Sequence, residues 1–78
     1  MTQTELTPAQ LHIFNRLAEL REIKARTTRI LSGDYTWDER FDAAIEYQAA
    51  RREQKKIHEA MDLKTYVQWT EYQGRNLG

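Results

Sequence analysis

Cysteine is absent from this chain of 78 residues, so it offers no disulfide framework, no zinc knuckle and no thiol nucleophile. Glycine occurs three times and proline once, too few for the turn-rich pattern of an all-β sandwich or barrel. Net charge is also missing, because 12 basic residues offset 12 acidic ones. Neither nucleic acid nor an anionic membrane is demanded as a partner by such a balance. No apolar run is long enough for a membrane span, and the opening stretch MTQTELTPAQ lacks the basic end and apolar segment of a secretory signal. The expectation is one cytoplasmic domain, of a size at which a single core is marginal and oligomerisation helps.

What the chain does have is helical periodicity and clear punctuation. Thr7-Pro8-Ala9-Gln10 reads as a helix start, with Thr7 as N-cap, Pro8 at the first helical position and Gln10 completing a capping box. Leu6 and Leu11 occupy the positions of a hydrophobic staple. The helix is expected to span about 7–31, stopping at Ser32-Gly33. Thr36-Trp37-Asp38-Glu39 forms a second capping box, opening a helix over about 36–61. The short connection makes the two helices antiparallel neighbours. The aromatic tail 62–73 has the composition of a strand, yet Tyr66, Trp69 and Gln73 share a helical face and no partner strand exists. A short third helix capped by Asp62 is preferred there, with 74–78 frayed. The predicted fold class is therefore all-α: an antiparallel helical hairpin with a short C-terminal third helix or tail.

Each long helix carries two apolar lines at heptad spacing. On the first, Ile13, Leu17, Leu20, Lys24, Thr27 and Leu31 form one line, and Leu11, Phe14, Ala18, Arg21, Ala25 and Thr28 another. On the second, Ala43, Tyr47, Ala50, Gln54, Ile57 and Met61 form one, and Trp37, Phe41, Ala44, Gln48, Arg51 and Lys55 another. One hairpin can bury only one line per helix, so the surplus predicts a homo-oligomer. Polar Lys24, Thr27, Gln54 and Lys55 inside these lines are read first as setters of register or oligomer number.

Candidate chemistry is sparse. Lys24-Ala25-Arg26-Thr27-Thr28-Arg29 gathers three cations and two hydroxyls with no acid, a composition suited either to cradling phosphate or to a solvated basic last turn. Phe14-Asn15 pairs a ring with an amide, which together could stack on a base and read its edge, although Phe14 also belongs to a regular apolar line. The basic stretch 51–56 is interrupted by Glu53 and flanked by Glu46 and Glu59, so a solvated face is expected there instead of a nucleic-acid contact. His58 and Asp62 make half a metal site at best. With no nucleophile–base set, phosphate loop or dinucleotide fingerprint, neither an enzyme nor a cofactor is expected.

The stretch Leu6 to Leu17, with Asn15-Arg16-Leu17 its most specific fragment, followed by a turn and a helix containing Gln48, resembles the small helical-hairpin phage immune-evasion proteins. That family includes the anti-CBASS cyclic-nucleotide sponges. The resemblance covers roughly the first sixty residues. It implies a hexamer-like assembly in a host cytoplasm that sequesters cyclic di- or trinucleotides without cleaving them. Phe14 and Asn15 would then meet a base, and Arg26 and Thr28 the phosphate and sugar, with Arg29 of the basic run beside them. The chain departs from the pattern in having Phe14 where a tyrosine is expected, and in its aromatic tail. The competing expectation is a helical inhibitor or adaptor that docks on a host protein through Trp37, Phe41, Tyr66 and Trp69.

Overall fold

Thr7 begins the fold as a reciprocal cap. Its hydroxyl accepts from the Gln10 N–H at 3.1 Å, while its own N–H donates to Gln10 Oε1 at 3.0 Å. In the computed structural model, which describes residues 6–77, this cap opens helix α1, Pro8–Ser32. Thr36 and Glu39 repeat the arrangement and open α2, Trp37–Ala60, with Asp38 and Glu39 at its positive end. Asp62 caps α3, Leu63–Asn76, by accepting from the Thr65 N–H at 2.8 Å. The tail is thus helical. Of the stretch 74–78 expected to fray, Gly74, Arg75 and Asn76 continue the helix and Leu77 packs against the core, while residue 78 lies outside the described residues. No strand occurs among the described residues.

Gly33 ends α1 in an unexpected way. Its backbone is extended, at φ −98° and ψ −175°, so no left-handed conformation calls for glycine. Close approach does. A Cβ at this position would lie 2.8 Å from Tyr35 Cε2 and 2.9 Å from the Arg29 carbonyl oxygen.

The long helices pack antiparallel and draw the molecule out to 50 × 23 × 18 Å. Arg16 reaches Glu53 near one end of the hairpin, and Arg26 reaches Glu46 nearer the other. Between them Lys24 Nζ donates to Gln54 Oε1 at 2.8 Å, so a polar pair inside the seam joins the two helices of a single chain. Thr27 is fully buried, and its hydroxyl donates to the carbonyls of Ile23 and Lys24 in its own helix. That back-bonding satisfies a buried hydroxyl without any partner from another helix.

Helix α3 folds back along α1 and runs in the same direction. Gln68 accepts from Gln10 near the start of α1, and Asn76 and Leu77 border Ala18, Arg21, Glu22 and Ala25 further along. The core gathers Phe14, Leu17 and Leu20 of α1, Ala50 of α2 and Trp69 of α3, with Ile13, Ala18, Ile57, Tyr72 and Leu77 packed around them. The chain therefore covers part of its own second line on α1. Leu6 packs against the core, while Leu11 stays exposed. At 14 residues α3 is too short to cover the rest of the hairpin, whose far half consists of two helices alone.

Candidate functional site

The residues singled out on α1 fall into three different environments. Phe14 is fully enclosed, its ring centroid 5.3 Å from both Trp69 and Tyr72, which stack on each other at 5.8 Å. Its ring faces are occupied by the chain's own tail. Asn15, Arg26 and Arg29 are exposed. Eleven residues separate Asn15 from Arg26, about three turns, so they share one stripe with Arg29 alongside. Thr28 is also exposed but lies on a different side of the helix. Arg26 is neutralised by Glu46 across the hairpin. The fold thus puts Asn15, Arg26 and Arg29 on one side of α1, with Asn15 about 16 Å along the axis from Arg26, and Phe14 and Thr28 on another, so it gathers no compact site from these five.

Charge on this flank is largely internal. Arg16 sends Nε and Nη2 to the two oxygens of Glu53, at 2.5 and 2.8 Å. Those hydrogen bonds hold the Glu53 carboxyl below its ordinary range against the opposing pull of desolvation, with the Arg16 charge assisting. The same contact holds Arg16 more firmly in its charged form.

The suggested half metal site is engaged otherwise. Asp62 is the cap of α3, and hydrogen bonds from Thr65, side chain first and N–H next, keep its carboxyl below the ordinary range. His58 meets the Tyr66 ring edge-on at 5.8 Å. Among the described residues no group of three or more His, Cys, Asp or Glu side chains could hold a metal ion.

The most unusual surface lies where α3 does not reach. Trp37 and Phe41, one turn apart on α2, stack at 5.0 Å with only 14° between their planes. Trp37 is 67% exposed and Phe41 50%. Leu31 and Arg40 complete a shallow hollow of about 320 Å³ beside them. Ile45, 54% exposed, continues the apolar surface one turn further along α2. Heptad spacing placed Trp37 and Phe41 on the second line of α2, but spacing alone does not tell an exposed line from a covered one. Leu63, Tyr66 and Val67 form a smaller exposed group on α3. No described helix is long and apolar enough to cross a membrane. No family model, curated protein or solved structure matches the chain.

Proposed function

We propose that this protein works by association, with the Trp37–Phe41 face as a protein-docking face whose first occupant is a second copy of the chain. The observation that carries the proposal is the ring stack itself: two large apolar side chains held flat against each other and left in water. Burying a side chain of this size is worth about 1.5–3 kcal/mol, and tryptophan is enriched among residues that dominate binding energy. Exposed Asp34, Asp38 and Asp42 lie along this end of the hairpin with exposed Arg29 and Arg40. Both signs on one patch suit a two-fold contact, in which each residue meets its counterpart's neighbour. A formal net charge of zero adds no repulsion between copies. The resulting homo-oligomer would form through fewer positions than the heptad lines suggest, because α3 already covers Phe14. An adaptor or inhibitor would present the same rings to an apolar groove on another protein.

Sequestration of a cyclic nucleotide stands as the second reading, favoured by the exposed stripe of Asn15, Arg26 and Arg29. Phe14, being enclosed, would not supply the stacking ring, which would have to be an exposed one such as Tyr35, Trp37 or Phe41. Sedimentation equilibrium tests the leading reading. Wild-type protein at tens of micromolar should sediment above the 9.3 kDa of one chain, and the doubly substituted Trp37→Ser, Phe41→Ser protein at one chain with unchanged helicity. A wild-type monomer throughout that range removes self-association.

A further inference from the structure

On another part of the hairpin an open hollow of about 460 Å³ is lined by Lys24 of α1 and by Arg51, Gln54, Lys55, His58 and Glu59 of α2. We propose that this hollow binds a linear polyphosphate group. Three full positive charges, Lys24, Arg51 and Lys55, face one carboxylate, Glu59, which is 3.9 Å from Lys55 Nζ at the rim. Arg16 and Arg26 have carboxylate partners across the hairpin, whereas Arg51 and Lys24 make no salt bridge among the described residues. Lys24 is instead positioned by a neutral acceptor, Gln54 Oε1, which leaves its charge uncompensated. Lys24 is half-buried as a residue, and its Nζ sits over the Tyr47 ring, 6.0 Å from the centroid.

His58 supplies an independent observation. Its Nε2 is buried and has no hydrogen-bond partner, and buried polar atoms of that kind are rare. The ring itself lines the hollow, so a turn of the imidazole away from Tyr66 would bring that nitrogen to a phosphate oxygen seated there.

Spacing selects the ligand. Arg51, Lys55 and His58 follow one another at four and three residues, so the groups extend about 10 Å along one face of α2. A single phosphate cannot span that row, whereas linked phosphates can, with the Arg51 guanidinium taking two oxygens of one of them.

Titration calorimetry of the intact protein with inorganic tripolyphosphate at low salt is the test, read together with the imidazole nitrogen resonances. One tripolyphosphate per chain is expected. Arg51→Gln should weaken binding roughly tenfold, the scale of one lost charged hydrogen bond, and Lys55→Gln should weaken it as well. Arg52→Gln, outside the hollow, should leave it unchanged. The Nε2 resonance of His58 should move on binding while those of His12 stay in place. Circular dichroism of each variant separates lost binding from lost helix. No binding at millimolar tripolyphosphate overturns the proposal. So does equal weakening by Arg52→Gln and Arg51→Gln, or a His58 resonance that stays fixed while ligand binds.

Discussion

The Trp69 ring lies 5.3 Å from the Phe14 ring, centroid to centroid, and tilted 48° to it, so the C-terminal helix is held to the hairpin by an aromatic pair. Tilted pairs at this separation are favourable beyond their area. Trp69 is buried, whereas Trp37 is two-thirds exposed. The chain's two tryptophans therefore respond oppositely to the same substitution. Trp69→Ala should lower the unfolding free energy by about 3 kcal/mol or more, as truncating a buried ring does. Trp37→Ala should change that of the isolated chain by less than about 0.5 kcal/mol. Urea denaturation followed by circular dichroism measures both, at concentrations low enough to hold the protein monomeric. Equal losses would contradict the covered and uncovered roles assigned to the two rings.

Two glycines make a second opposed pair. Gly74 is helical, and a Cβ added there meets nothing within 4 Å. Gly74→Ala should therefore stabilise the protein by about 0.5–1 kcal/mol, through lower entropy of the unfolded chain and better helix propensity. At Gly33 a Cβ would crowd the Arg29 carbonyl oxygen and the Tyr35 ring, so Gly33→Ala should lower the melting temperature. Thermal melts of both variants check the contrast. A destabilised Gly74→Ala would mean that α3 does not extend through residue 74.

Acid should destabilise the fold in a defined window. Glu53 and Asp62 both have folded-state pKa values below their ordinary 4.5 and 3.8, the first from Arg16 and the second from Thr65. Groups depressed in this way bind fewer protons folded than unfolded, so stability falls as pH falls. The contribution is fully present above the ordinary values and is lost as pH drops below about 4.5 and through the lower folded values. The melting temperature should decline as pH falls below that point. Glu53→Gln should flatten part of the decline. A Glu53→Gln profile parallel to wild type would show that the Arg16 contact carries none of it.

Much of this architecture is legible in short stretches of sequence, because capping is local. Thr7 with Gln10, Thr36 with Glu39, and Asp62 each announce a helix within a few residues, and each forms. The tail shows why propensity is a weaker guide: Thr65, Tyr66, Val67 and Trp69 favour a strand, but β-propensity mostly reflects packing on a sheet, and the described residues offer none. The helix places Trp69 and Tyr72 on Phe14 instead. The site was harder to read. Phe14 and Phe41 both stand second in the second apolar line of their helices, yet one is enclosed and the other half exposed. The difference arises from where a 14-residue helix docks and how far it reaches, which depends on packing between distant segments. Likewise Arg26 looked like a free cation in a run without acids, but its carboxylate comes from Glu46, on the other helix.

The central claim is that the Trp37–Phe41 face is where this protein meets a second copy. A benzoylphenylalanine photocrosslinker in place of Phe41 tests it most directly, with the same group at Arg52, on an exposed polar part of α2, as the comparison. Irradiation should give a covalent dimer from position 41 that is lost when Trp37→Ser is added, and none from position 52. No dimer from position 41, or equal yields from both positions, would contradict the account.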